Sequence, residues 1–316
     1  MKSQRNKTID IGVEEGREYL ERCIDCTGSG SKKKKPGPVI NDPDLLTDKT
    51  VIGDCIEIME ALPGDLADLI IADPPYNMDK DFGDESFRRL SDNDYFAYTV
   101  QWISMARRIL KQDGSIYVCC DWKSGPIIYQ ALGESFKIKN RITWQREKGR
   151  GANNNWKNCM EDIWFAVRSD EYTFNLDAVK VRRRVRAPYR VDGKPKDWEE
   201  TDEGNFRNTH PSNFWDDISV PYWSMPENTL HPTQKPEKLL AKLILASSNP
   251  GDLVFDPFLG SGSTSVTAKK LGRHYLGIEK NPRFCVWAEK RLEMAEKDGS
   301  IQGYKDGIFW ERNSGK

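Results

Sequence analysis

The sequence contains no run of apolar residues approaching the ~18 that a membrane-spanning helix requires. Its opening stretch, MKSQRNKTIDIG, lacks the apolar centre of a secretory signal. Cysteine is scarce and odd in number, seven in all at spacings that form no framework, which excludes a disulfide scaffold and points to a reducing compartment. Cys23 and Cys26 form a lone CxxC without a second pair nearby, half the ligand set of a zinc site, so no metal is expected. Net charge is almost absent, at −1, and by itself decides nothing about a polyanionic partner. Charged residues make up 31% of the chain and mean hydropathy is −0.71. These features exclude the membrane and disulfide-rich secreted classes. They leave a soluble, cytoplasmic chain whose 316 residues give room for one large α/β domain with an insert.

No internal repeat is present. From Thr50 onward, short apolar strands alternate with helices. TVIGD, DLIIAD, SIYVCCD, FKIKNRITWQ, EDIWFAV, GDLVFDPF and RHYLGIE read as seven strands. CIEIMEAL, Asn93–Leu110, KPEKLLAKLILASS, STSVTAKKLG and NPRFCVWAEKRLEMAEK read as helices, the second with Trp102, Ala106, Ile109 and Leu110 at helical spacing. This pattern predicts an α/β fold with a doubly wound, mostly parallel seven-stranded sheet. Residues 1–46 read as a peripheral segment, with a short helix over Val13–Cys23 and a Gly/Ser/Lys/Pro linker. Residues 47–170 and 230–298 form the two parts of the main domain. Residues 171–229, rich in Arg, Pro, Asn, Asp and Trp, are an irregular insert, and 299–316 a tail.

Ligands of open α/β sheets sit at the carboxyl ends of strands, and three of those ends here are unusual. In VFDPFLGSGSTS a strand closes on Asp256 and a Gly-Ser-Gly turn leads into a helix, where Gly260 and Gly262 allow a close backbone approach. The third glycine of a dinucleotide fingerprint is missing. Glu279 closes the next strand and has the chemistry to accept hydrogen bonds from both hydroxyls of a ribose. Asp54 ends VIGDC in the same style and suits the amine of a purine, with a helix cap as its other use. Together these fit a nucleoside-bearing ligand without an obligatory pyrophosphate, such as S-adenosylmethionine. HPTQKPEKLL adds Lys235 and a helix start for the methionine carboxylate.

A fourth strand ends in IIADPPYNMDKDFG. Pro74 and Pro75 stiffen the chain as it leaves the strand and leave carbonyls without N–H groups. Asp73 and the Pro74 carbonyl then offer two acceptors to one NH2 group, and Tyr76 offers a flat face to a planar ring. An amine conjugated to an aromatic ring is a poor nucleophile. Holding both of its N–H bonds favours a pyramidal nitrogen, and the Asp73 charge opposes the positive charge that develops on methyl transfer. The base must leave the duplex stack to reach such a site.

These motifs, in this order, resemble those of the DNA amino-methyltransferases of the β class, from about Thr50 to Glu296. The resemblance implies a catalytic motif at Asp73, Pro74, Pro75 and Tyr76. It implies S-adenosylmethionine bound by Asp54, Cys55, Asp73, Thr233, Gln234, Lys235, Asp256, Pro257, Phe258, Gly260, Ser261, Gly262, Ser263, Thr264, Glu279 and Lys280. NNNWKNCMEDIWF resembles the motif that precedes the recognition region, with Glu161 at its acidic position and Met160 where a histidine is common. The basic runs also gain a use. Residues 137–157 hold seven basic residues and 180–190 hold six, and Arg141, Arg146, Lys148, Arg150, Arg182, Arg183, Arg184 and Arg186 are expected to meet DNA phosphates. The insert would read base edges, and residues 83–91 would close over the site as a mobile loop. The expected reaction is N6 methylation of adenine in double-stranded DNA. N4 of cytosine is the alternative, and RNA or a protein amide a more distant one. A cognate restriction endonuclease, a second copy of the chain and a nucleoid-associated setting in a prokaryote or phage follow from the same resemblance. A cytosine C5 enzyme would need a thiolate nucleophile, and no cysteine here sits in a Pro-Cys motif.

Overall fold

Alternation along the strands decides the architecture. In the strand Ala67–Ala72, Leu69 and Ile71 belong to one buried apolar cluster and Ile70 and Ala72 to another. A strand that is apolar on both faces needs helices on both. One cluster lies beneath the helices Cys55–Ala61, Asp92–Ile109 and Gly125–Gly133. The other lies beneath Glu237–Ser247, Ser263–Lys270 and Pro282–Lys297. The computed structural model describes residues 5–28, 42–81, 86–146, 153–185 and 189–311.

The main sheet runs Ile24–Asp25, Lys49–Ile52, His274–Glu279, Leu253–Asp256, Ala67–Ala72, Leu110–Cys120, Met160–Val167, Lys137–Gln145, Phe214–Trp215. The seven strands expected from the sequence are all there, and a two-residue strand at each edge brings the sheet to nine. Met160–Val167 is antiparallel to both of its neighbours, and the other pairings are parallel. Its first residues therefore arrive at the edge where the parallel strands end, with Asp162 opposite Cys120. Glu161 thus reaches the edge that carries Asp73, Asp256 and Glu279.

Residues 171–229 contain regular structure that their sequence does not reveal. A second sheet has the order Glu199–Thr201, Gly204–Thr209, Val181–Arg184, Ile308–Trp310, Tyr304–Lys305. The insert's strands Val181–Arg184, Glu199–Thr201 and Gly204–Thr209 are rich in polar and charged residues and lack the apolar run that marks the strands of the main sheet. The tail joins this sheet: Phe309 pairs with Val181 and packs, fully buried, with Ala241 and Leu245 of the helix Glu237–Ser247. That helix is buried on all sides. Its Lys238 and Lys242 turn their ammonium groups to Asp217 of the insert, at 2.7 and 3.2 Å.

Residues 5–28 dock on the helix Pro282–Lys297, where Ile9 and Tyr19 pack with Phe284, Val286 and Trp287. Of the helix expected over Val13–Cys23, only Arg17–Leu20 forms. Most of the linker lies outside the described residues. Among those described, no helix is long and apolar enough to cross a membrane.

Candidate active site

A cavity of about 390 Å³ opens at the carboxyl edge of the sheet, within the range of small-molecule sites. It brings the four strand ends together. Asp73, Pro74, Pro75 and Tyr76 line it with Asp54, Cys55, Thr233, Gln234, Lys235, Asp256, Pro257, Phe258, Gly260, Ser261, Ser263, Thr264, Glu279 and Lys280. Gly262 alone among the expected catalytic and cofactor residues is not on its wall.

The glycine turn is shaped by both of its ends. The Glu279 carboxylate accepts the Gly260 N–H at 2.8 Å and the Asn281 N–H at 2.8 Å, which ties the turn to the neighbouring strand. Gly260 has φ +56°, and a Cβ there would lie 3.1 Å from His231 Nε2. Gly262 has φ +81°, and its Cβ would lie 2.6 Å from that of Ala288. Its bareness serves helix packing. Arg291, 2% exposed, donates to the Ser261 carbonyl at 2.8 Å, to Ser263 Oγ at 2.9 Å and to Glu237 at 3.0 Å. This buried arginine, which sequence reasoning passed over inside a helix, fixes the far side of the turn. Asp256 accepts the Phe258 N–H at 2.9 Å, and burial raises its pKa to about 7.

Asp54 caps the helix Cys55–Ala61 through the Ile56 N–H at 3.0 Å, and its other oxygen lies 3.9 Å from Lys280. Burial, reinforced by Asp54, raises the Cys55 thiol to about 12. Gln234 spends its side-chain amide inside its own loop, accepting from Thr229 N at 2.9 Å and donating to the Glu227 carbonyl at 2.6 Å. It braces the segment that carries Thr233 and Lys235.

Lys235 turns to the Asp73–Tyr76 segment. Its Nζ lies 2.6 Å from Asp73 Oδ2, 3.2 Å from the Tyr76 hydroxyl and 3.3 Å from Glu161 Oε2. The Tyr76 hydroxyl donates to Asp73 Oδ1 at 2.9 Å, and Arg146 pairs with the opposite oxygen of Glu161. Two carboxylates and two cations therefore form a closed, charge-balanced cluster. Burial works to lower the Lys235 pKa, but Asp73 and Glu161 outweigh it and hold the ammonium protonated. Burial likewise works to raise Glu161, and Lys235 and then Arg146 outweigh it, so Glu161 stays ionised. Burial, with the Asp73 and Glu161 charges, lifts the Tyr76 phenol well above its ordinary value, so it remains a neutral donor. Tyr95 reaches from its helix to the Pro75 carbonyl at 3.0 Å, and Asn77 exchanges two hydrogen bonds with the Leu90 backbone. The motif leaves the strand with little freedom. Burial also holds Cys119, on the cavity wall, protonated.

The basic residues divide into two groups. Arg146 belongs to the acidic cluster. Arg182 is 9% exposed, pairs with Glu199 at 2.9 Å and stacks on Phe206 and Trp310. Arg141, Arg183 and Arg184 are exposed. Lys148, Arg150 and Arg186 lie outside the described residues, as do residues 83–85 of the expected loop; Ser86–Phe87 forms a hairpin with Lys80–Asp81.

A mostly parallel sheet whose edge joins Asp73–Tyr76 to a glycine turn and a strand-end carboxylate defines the class, and the chain belongs to the DNA methylase family, which it matches over residues 67–290. Within that family it is 36% identical over 255 residues to the DNA adenine methyltransferase YhdJ of Escherichia coli strain K12, covering 78% of this chain and 83% of that protein. It is 34% identical over 248 residues to the type II methyltransferase M.HpaI of Haemophilus parainfluenzae, covering 78% and 74%. Among solved structures, the M1.HpyAVI–SAM complex aligns with a TM-score of 0.54 at 25% identity, over 77% of this chain and 98% of the other. The cytosine-N4-specific PvuII DNA methyltransferase shares the fold, with a TM-score of 0.58 at 16% identity over 77% and 85%.

Proposed function

We propose that this DNA methylase methylates the N6 amine of an adenine rotated out of duplex DNA, with S-adenosylmethionine as methyl donor. One observation carries the reading: Asp73–Tyr76 and the Gly260–Glu279 turn open into the same cavity. The similarity to proteins named as an adenine methyltransferase and as a SAM complex supports the choice of base and donor. The cavity suits the cofactor on its own evidence. Gly260 leaves room that a Cβ would take, Glu279 offers acceptors already fixed by two backbone donors, and Asp54 offers another at the far end. When bound, S-adenosylmethionine supplies an electrophilic methyl group.

In this reading Asp73 and the Pro74 carbonyl hold the amine, Tyr76 lies against the base, and the Asp73 charge stabilises the cationic nitrogen as it forms. Glu279 takes the ribose, Asp54 the cofactor's adenine and Thr233 the methionine end. Arg141, Arg183 and Arg184 meet phosphates together with Lys148, Arg150 and Arg186. Arg146 and Arg182 are left to their glutamate partners. Self-association and a cognate endonuclease belong to the reading as expectations, checked by light scattering and by protection of the modified site from cleavage. So does a cytoplasmic setting.

Two experiments test the core of the proposal. Asp73→Ala should abolish methyl transfer while duplex binding survives; a fully active variant removes the role given to Asp73. Single-molecule sequencing of DNA from cells expressing the chain should show N6-methyladenine in one sequence context. Modified cytosine in its place would overturn the choice of base.

A further inference from the structure

We propose that Lys235 is a second reader of the target base, donating a hydrogen bond from Nζ to the ring nitrogen beside the exocyclic amine while Asp73 accepts from the amine itself. The inference rests on the function proposed above and gives a role in base recognition to a residue whose motif suggests a cofactor contact.

The reasoning begins with spacing. Asp73 Oδ2 and Lys235 Nζ are 2.6 Å apart. They are an acceptor and a donor side by side, spaced much as the adjoining acceptor and donor on a pairing base. Adenine's Watson–Crick edge is the complement, an N–H donor on the amine next to an acceptor at N1. A flipped base is commonly read on that edge. Once Asp73 grips the amine, the neighbouring ring nitrogen falls toward Nζ.

Charge separates this from the cofactor assignment. Asp73 and Glu161 are balanced by Lys235 and Arg146, and Lys235 and Glu161 are 7% and 6% exposed. A methionine carboxylate on Nζ would add a third anion to a set whose charges already balance, and only the cofactor's own α-ammonium would be left to match it. A ring nitrogen is a neutral acceptor and leaves the balance intact. The ammonium has three N–H groups. Its short bond is to Asp73, and the longer contacts, 3.2 Å to Tyr76 and 3.3 Å to Glu161, are the ones a ring nitrogen can share or replace. Glu161, held by Arg146, is then a positioning residue that keeps Nζ beside Asp73.

The edge also selects among bases. Guanine and thymine present a carbonyl next to an N–H, which would set oxygen against Asp73 and a donor against Lys235. Adenine and cytosine both present an amine next to an acceptor nitrogen. The Asp73–Lys235 pair therefore rejects two bases and admits two, and the space around the ring must separate adenine from cytosine.

The test uses the full-length protein and a duplex carrying its mapped site, with either adenine or 1-deazaadenine at the target position. The analogue keeps the amine and replaces the ring nitrogen by C–H. Wild-type protein should methylate the 1-deaza duplex with kcat/KM lower by about tenfold or more, the discrimination typical of one partner of a bidentate base contact. Lys235→Met should slow methylation of the adenine duplex and no longer distinguish the two, whereas Lys235→Arg should keep part of the preference. Equilibrium binding of S-adenosylmethionine to Lys235→Met should match wild type, which also shows that the variant is folded. Equal wild-type rates on the two duplexes would overturn the proposal, and that comparison stands whether or not either variant folds. So would a Lys235→Met protein that still prefers adenine, or one that has lost cofactor binding while folded. Wild-type protein that methylates neither duplex would overturn the proposed function itself, a separate outcome.

Discussion

Replacing Gly262 by alanine should destabilise the protein for two separable reasons. The residue sits at φ +81°, a left-handed conformation that costs a residue with a Cβ about 1–2 kcal/mol. Its new Cβ would also lie 2.6 Å from Ala288 Cβ and 2.8 Å from Ala288 Cα. The obstacle is backbone and the atom next to it, so no rotamer change relieves the contact. The helices Ser263–Lys270 and Pro282–Lys297 must move apart, and overpacking of this kind costs about 1–3 kcal/mol. The expected loss is about 2–5 kcal/mol in all. Gly272 supplies the control. It has φ +72° and nothing within 4 Å of its would-be Cβ, so Gly272→Ala should show the backbone cost alone, about 1–2 kcal/mol. Urea unfolding followed by tryptophan fluorescence measures both variants, and the difference between them isolates the collision. Gly262→Ala no less stable than Gly272→Ala would refute the claim that Gly262 serves helix contact.

Three further outcomes are expected. Asp256 is a buried carboxyl group whose pKa burial raises to about 7. A raised acid favours the folded state below its unfolded pKa and loses that contribution as pH rises through the folded value. Asp256→Asn should therefore be more stable than wild type by about 2–4 kcal/mol at pH 8, with the gap closing toward pH 4, as read by thermal unfolding across that range. Arg291→Met frees the Ser261 carbonyl and Ser263 Oγ and should weaken S-adenosylmethionine binding about tenfold by calorimetry; an unchanged affinity would mean that the turn holds its shape unaided. Deleting residues 303–316 removes Phe309 and the strand beside Val181, so the insert should lose order and duplex affinity while cofactor binding persists, measured by fluorescence anisotropy and calorimetry.

The sheet and most of the cavity wall were legible in the sequence because both depend on local signals. A short apolar run marks each strand, and proline or glycine marks each unusual strand end. Other features depend on partners far along the chain. Lys235 and Asp73 are 162 positions apart, and nothing local to HPTQKPE says that its lysine faces a carboxylate on another strand. The basic runs gave numbers of charges without directions, so Arg146 and Arg182 read like their exposed neighbours although Arg146 is committed to the buried Glu161, and Arg182 is itself buried and paired with Glu199. Lys238 and Lys242 gave the helix Glu237–Ser247 a polar face in sequence, and the insert covers that face through Asp217. The strands of the insert gave no such signal because they are mostly polar, with Phe206 the buried apolar residue of Gly204–Thr209.

The shared sheet of Val181–Arg184 and Ile308–Trp310 has a bearing on how sequence preference could be changed. The lobe proposed to touch DNA is assembled from two stretches separated by the whole cofactor half of the protein. A chimaera that imports residues 171–229 from a relative inherits a foreign neighbour for its central strand, and Phe309 must fit a surface it did not evolve beside. Successful grafts will carry both stretches together, and natural exchange of specificity in proteins built this way faces the same two-part requirement.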